Sequence, residues 1–549
     1  MLRTKARITT NFITTVTALL LVCAPALAQH EHHMHDDLPV RPDTHIGEVD
    51  FGVACDESVQ SDFDEALGMM HHMMYVASRS AFEEIIDSDP GCAMAYWGVA
   101  TTLFQPLWGT RPSDEELHRG WELISKAIEL AESPREQKLI ASTADFFRDP
   151  ETADFRTRMQ RWADGVARAY KAYPDDANVA SLYGLTLMSE AQFREDRDPL
   201  FDEAEAVLRR VFEKIPTHPG AIHYSIHATD VDGRAENALD MVEMYAHIAP
   251  HVPHALHMPS HIYVRLGDWP QVIDWNMQSA DAALKYPVNG AESHHFIHAI
   301  DYLVYAYLQR GEDDKAEEAW KRVKRKDRHQ GTFVSAFHFA AIPARLAVER
   351  RDWERAASLE PRSLDYLPWD ASPWAEALTW YARGLGAVHT GDMSGAAQAE
   401  QRLGELRDVA RDRGDDNMVV YIETDRLVLA GRIALANGRA DRAVELTREA
   451  VRLETTVEKH PVTPGALQPP REALGNLFMD LGRHEEALAA YEASNEIWPG
   501  RLNTLMGAAV AARLNGSEDA ARSFFAKLLI SAAGADFTPL GAVHSHDGN

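Results

Sequence analysis

Apolar residues recur at i, i+3 and i+4 spacing from about residue 60 to about residue 530, which predicts a succession of amphipathic helices. The run Ala487-Leu488-Ala489-Ala490-Tyr491, followed by Trp498-Pro499, shows the unit. An apolar stripe is laid down, then a proline that cannot continue the helix stops it. Between helices the punctuation is regular. Gly233 is followed five residues later by Ala238, Gly311 by Ala316, Gly391 by Ala396, Gly438 by Ala443, Gly482 by Ala487 and Gly516 by Ala521. Gly267 with Val272 and Arg351 with Ala356 are variants of the same turn. Successive turns lie 34, 44, 40, 40, 47, 44 and 34 residues apart, the length of a helical hairpin each. The small residue after each turn lets two helices approach closely. Strand-like alternation interrupts the pattern nowhere, so the expected class is all-α, a stack of helical hairpins.

That hairpin text resembles the tetratricopeptide repeat (TPR) family. The resemblance is carried by "LGRHEEALAAYEASNEIWP", "AFEEIIDSDPGCAMAYWGVA" and "AEAVLRRVFEKIPTHPGAIHYSIHA", and it extends over roughly residues 60 to 530. The phrases "AMAYWG" and "HMPSHIY" are also similar to a group of secreted bacterial TPR proteins. Several units depart from the 34-residue period, with longer helices or inserts such as Phe193 to Pro199. Membership implies a right-handed α-solenoid with a concave groove. Breakers at Pro287-Val288-Asn289-Gly290 divide the repeats into 59–285 and 286–530, and Pro461 through Pro470 reads as a long linker or lid. Residues 29–58 form a His-rich, extended leader and 531–549 a C-terminal tail.

Residues 1–28 read differently. Arg3, Lys5 and Arg7 precede a largely apolar stretch, Ile8 to Val22, and Ala26-Leu27-Ala28 is a small-x-small cleavage site. This is the pattern of a secretory signal peptide, and it predicts a periplasmic or secreted bacterial protein with no transmembrane anchor in the mature chain. Three cysteines are encoded and Cys23 leaves with the signal. Cys55 and Cys92 then remain as a candidate disulfide in an oxidising compartment, with two buried thiols as the alternative. The 549 residues are 45% hydrophobic and 25% charged, ordinary for a globular protein, and the formal net charge is -29. A surface so acidic repels phosphate backbones, which argues against nucleic acid as a partner.

Histidine is the unusual residue. There are 26, and three successive first helices each carry HxxxH: His223/His227, His257/His261 and His294/His298, with His295 adjacent. On an α-helix i and i+4 share a face, so each pair can chelate one metal ion or frame one pocket. Two pairs are in register, ten and six residues before Gly233 and Gly267. Asp301 and Tyr305 hold the same offsets from Gly311, and His254 and His298 stand thirteen before their turns. In the TPR family these offsets face the groove. The resemblance therefore implies a ligand-binding wall of His223, His227, Asp230, His254, His257, His261, His298, Asp301 and Tyr305, with Arg265 and His294 at its edge. Trp97 occupies the groove-facing place of its own helix by its offset from Pro90.

The candidate metal ligands are His223, His227, His257, His261, His294 and His298, a donor set suited to Zn or Cu. Hydrogen bonding between stacked helices is the plainer use of the same residues, and Pro259 is placed to kink its helix. HExxH is absent, so the usual zinc-protease arrangement is not present. Two further clusters suit metal: the leader Gln29-His30-Glu31-His32-His33-Met34-His35-Asp36-Asp37, and Met69-Met70-His71-His72-Met73-Met74, whose thioethers suit Cu(I) or simply fill a core. Trp108, Trp369, Trp374 and Trp380 are candidate apolar walls. GK[ST] phosphate loops, GxGxxG and GxSxG are missing. The leading expectation is an exported scaffold that binds a peptide, partner protein or small ligand in a His-rich groove. The alternatives are a metal-dependent enzyme, with Asp230 or Asp301 as base or extra ligand, and a copper- or zinc-binding protein.

Overall fold

A computed structural model describes residues 46–107, 111–194 and 196–536. The signal peptide, residues 29–45 of the leader, Trp108 and the last residues of the C-terminal tail lie outside the described residues. Helices from Gln60–His71 to Glu518–Ser531 follow one another in antiparallel hairpins, and each packs chiefly on its sequence neighbours. The chain is therefore an all-α solenoid of stacked helical hairpins. Position 286 falls between helices Trp269–Ala283 and His294–Gln309, which pack on each other in the same stack.

The turn glycines do what their spacing requires. Gly233, Gly267, Gly311, Gly391, Gly438, Gly482 and Gly516 all adopt left-handed φ, and Arg351 takes the same conformation at its variant turn. Gly267 has a second duty. A Cβ there would stand 2.7 Å from the Pro499 carbonyl, so only glycine admits the later repeat against this turn. The Trp269 indole N–H donates to the Gly500 carbonyl at 2.9 Å beside it. The stack thus curls until the repeat around residue 500 touches the one around residue 267.

The N-terminal repeats share one core, built on Phe63, Phe82, Phe104, Phe146 and Trp162. Trp97 belongs to that core with 2% of its surface exposed, and it lines none of the cavities described below. The groove role expected from its offset is therefore corrected: the indole is packed into the hydrophobic core of the N-terminal repeats. Cys55 and Cys92 are bridged, 37 residues apart in sequence. Loop-closure entropy for a bridge of that span predicts that Cys55→Ser costs the N-terminal repeats about 3–4 kcal/mol. Urea titration with and without a reductant checks this, and coincident curves would refute it.

Segment 455–469 does not run over the surface as an ordinary connection. It crosses the concave side and is stitched there. Tyr302 Oη donates to the carbonyls of Pro461 (3.1 Å) and Thr463 (3.2 Å). Arg345 donates to the Gly465 carbonyl (2.8 Å) and Thr463 Oγ1 (2.7 Å). Tyr421 Oη donates to the Glu458 carbonyl at 2.6 Å, and Arg197 to that of Thr456 at 3.2 Å. The histidine-bearing face is consequently the floor of an enclosed space, not an open groove. Among the described residues no helix is long and apolar enough to cross a membrane.

Candidate metal centre

Four stacked units bring the histidines together. Helix Pro219–Thr229 carries His223 and His227. Helices Pro253–His257 and Pro259–Leu266 carry His254, His257 and His261, with the break at Pro259, where the missing N–H ends the first helix. Helix His294–Gln309 supplies His295, His298 and Asp301, and helix Phe333–Val348 supplies His338 and Arg345. Neighbouring rings form a continuous array. Their centroids are 4.2 Å apart for His257–His298, 4.9 Å for His298–His338, 5.8 Å for His227–His261 and 5.0 Å for His223–His254.

Within the array two triads have ring nitrogens all within 4.8 Å of one another: His223, His227 and His254, and His257, His261 and His298. The second triad is the more informative, because its protons can be assigned. Asn276 Nδ2 donates to the Val272 carbonyl at 2.7 Å, which turns the amide oxygen toward His257 Nδ1, also at 2.7 Å. His257 must donate there. His261 Nδ1 likewise donates to the Asp230 carboxylate at 2.8 Å. With both Nδ1 protons committed, the neutral rings present bare Nε2 lone pairs to each other across 3.0 Å. Two lone pairs at that distance repel unless a cation lies with them. The spacing is close to the roughly 3.3 Å that two nitrogens keep on one tetrahedral ion.

The third ring is fixed by a relay. His338 Nδ1 donates to Asp301 Oδ2 at 3.1 Å, so its Nε2 accepts from His298 Nδ1 at 2.8 Å. That frees His298 Nε2 as another lone pair. The first triad repeats the device, with His223 Nδ1 donating to the His71 carbonyl at 2.7 Å and His223 Nε2 left without a hydrogen-bond partner. Orientation of an imidazole through its second nitrogen by a carboxylate, amide or carbonyl is the usual support of a metal-binding histidine.

A proton is a poor substitute for a metal cation here. Burial, and then the neighbouring imidazoles, hold His223, His254, His257 and His298 well below the ordinary histidine range, so all stay neutral at pH 7. Burial alone would raise the Asp230 carboxyl. Lys459 at 2.9 Å and Arg265 at 2.8 Å outweigh it and keep Asp230 ionised. Asp301 is held ionised against its burial by Arg345, also at 2.8 Å.

The remaining expected residues fall elsewhere. His294 joins neither triad. It opens its helix a full turn before His298, meets His295 edge-on with centroids 4.5 Å apart and borders a small cavity with Met73 and Met74. His254 has a ring nitrogen within 4.8 Å of those of His223 and His227. Arg265 is not free to bind a ligand at a groove edge, because Asp230 and Asp232 engage its guanidinium. Tyr305 faces the later repeats, where it accepts from Arg501 at 2.9 Å and packs edge-on against Trp269. Of the two uses open to Met69–Met74, packing is the one its side chains serve here. His71 is held between Asn178 (3.0 Å) and Tyr224 (3.2 Å), and His72 between Tyr245 (3.0 Å) and the Ile46 carbonyl (2.9 Å), so every ring nitrogen is occupied. Met70 and Met73 are core.

Residues 472–499 match the family model of the tetratricopeptide repeat. No curated protein matches the chain. Among solved structures, one similar chain belongs to the crystal structure of the APC/C hetero-tetramer Cut9-Hcn1. It is 11% identical and the match covers 90% of this chain and 96% of that one, with a TM-score of 0.31. The TPR match covers one hairpin, and its repeat class is that of protein-interaction scaffolds. The histidine array lies far from it in sequence, so nothing in the match speaks for or against metal.

Beside the array lies a larger space. A chamber of about 410 Å³ is bounded by segment 455–469 on one side and by Phe337, Trp374, Leu378, Tyr421 and Trp498 on the others. Lys459 and His460 stand between it and the imidazoles, lining the chamber and also the smaller space next to His227. Its size is that of small-molecule sites.

Proposed function

We propose that this chain is an exported metalloprotein whose buried histidine array holds two transition-metal ions, copper or zinc, one in each triad. The observation that carries the reading is the pair His257 Nε2 and His261 Nε2, 3.0 Å apart with both Nδ1 protons engaged elsewhere. All-imidazole donors with carboxylates behind them suit Cu or Zn better than the hard cations. Asp230 and Asp301 serve as orienting partners of His261 and His338, and not as ligands or bases. A peptide or partner protein lying along the histidines, the leading expectation from sequence, finds that face covered by segment 455–469. Small ligands have the adjoining chamber instead. Export after Ala28 supplies the oxidising compartment that the Cys55–Cys92 bridge suits.

The test is elemental analysis of untagged protein lacking residues 1–45, so that the His-rich leader cannot contribute. Two equivalents per chain are expected. His257→Ala with His261→Ala removes one and His223→Ala with His227→Ala removes the other, with helical circular dichroism retained. Protein that holds no metal after controlled reloading with Cu and Zn would sink the reading.

A further inference from the structure

The walls of the 410 Å³ chamber are charged, yet nearly all of that charge is already neutralised. Arg265 and Lys459 are paired with Asp230, Arg345 with Asp301, Arg471 with Glu454 and Arg197 with Glu458. Asp425 is different. It lines the same chamber, and among the described residues no ion pair or hydrogen bond joins its carboxyl to another side chain. The groups nearest it do not help. Glu454 on the adjoining helix is itself acidic, Tyr381 is a neutral phenol, and Arg471 is spent on Glu454 at 2.7 Å.

The surroundings of Asp425 are aromatic. Tyr421 lies one turn earlier on the same helix face and stacks on Trp374 with centroids 4.6 Å apart. Trp498 is oriented by its indole N–H, which donates to Glu454 at 3.2 Å. A carboxyl among such rings is the composition that receives an organic cation, through one ion pair and the negative faces of the π-systems. Asp196 and Asp198, exposed at the rim, add negative potential at the mouth.

We propose that the chamber binds a small organic amine, its ammonium group held by Asp425 and its body lying against Trp374, Tyr421 and Trp498. Burial, then the charge of Glu454, pushes the empty site's Asp425 carboxyl up to about 8, which is the behaviour of a group short of a counter-cation. The proposal is independent of the metal reading, since none of these residues belongs to a triad.

Isothermal titration calorimetry on the intact protein tests it, with benzylamine, phenethylamine and tryptamine as probes against their neutral matches benzyl alcohol, phenethyl alcohol and tryptophol. At least one amine is expected to saturate the protein and to bind about tenfold or more tighter than its alcohol. Asp425→Asn is expected to erase that preference while leaving the melting temperature almost unchanged, because the carboxyl it replaces is largely protonated at pH 7. An amine that binds no better than its alcohol overturns the proposal. So does the absence of binding by every amine up to about 10 mM, and so does a preference that survives in Asp425→Asn. Should that variant fail to fold, the comparison of amine with alcohol on the unaltered protein decides alone.

Discussion

Replacing Arg501 by Met will cost about 3–5 kcal/mol, because it leaves buried charges without their partner. Its guanidinium has 1% of its surface exposed and meets three partners: Glu349 at 2.9 Å, Glu472 at 3.1 Å and Tyr305 Oη at 2.9 Å. Both carboxylates are buried too, with 3% and 2% of their side-chain surface exposed. Burial raises the Glu349 carboxyl even with Arg501 present, so the pair is costly, and the arginine is the cation that bridges both carboxylates. Methionine fills the space and leaves two buried acids facing each other. Tyr305 lies 196 residues earlier in the chain, so the same contact ties the repeat around residue 500 to the middle of the solenoid. Urea unfolding followed by tryptophan fluorescence reads the loss. Adding Glu472→Gln should restore part of it by removing one of the stranded charges. A loss below about 1 kcal/mol, or a double variant no better than the single one, would show that the cluster is solvated rather than sealed.

Much of this architecture is written in local sequence, because a solenoid is assembled from neighbours. Each turn reports its own hairpin, and seven glycine turns with the variant turn at Arg351, at fixed offsets from an apolar residue, specify the stack without any long-range information. The register of the histidine-bearing face is local for the same reason. Positions thirteen, ten and six before a turn share one face, which placed His223, His227, His257, His261 and His298 together. Carried one unit further, to the turn at Arg351, the same offsets mark His338 and Arg345, two members of the site that the HxxxH pattern alone passes over.

What the repeats could not announce is closure. Lys459, His460 and the rest of segment 455–469 reach the histidines only because the stack curls round and the long connection drops inside it. That placement depends on summed small rotations between hairpins, which no single window of sequence encodes. The open groove was therefore the wrong picture, and Trp97 and Tyr305, assigned to it by offset alone, face closely packed neighbours instead. Asp425 escaped notice for a related reason. An acid on a helix reads as a solvent-facing residue until the segment that covers it is known.

Acid will unfold the metal-free protein well above the pH at which carboxylates protonate. His71, His72, His218, His223, His257 and His298 are each at least 96% enclosed. Burial lowers all six, His71 and His72 to about 4 and the others well below the ordinary value of 6.5. The folded state therefore binds fewer protons than the unfolded one as the pH falls below about 6.5, for His71 and His72 down to about 4. Their stabilising contribution is complete above pH 6.5 and is lost as the pH falls through that window, by about 1.4 kcal/mol per pH unit for each group. Six groups acting together approach about 8 kcal/mol per unit, which is comparable with the whole stability of a domain. The stack between residues 60 and 345 should accordingly lose its helical signal between about pH 6 and pH 5. The repeats beyond residue 470, which hold none of these groups, should outlast it. Metal-loaded protein should resist to lower pH, because each bound ion must first be displaced by protons, at a cost of about 4 kcal/mol when free metal stands at a thousand times its dissociation constant. Circular dichroism against pH, on stripped and reloaded samples, separates these outcomes. Coincident curves would mean that no ion occupies the array. A stripped protein still folded at pH 4.5 would mean that the imidazoles accept protons in place and that the cavity between them is wetter than their burial implies.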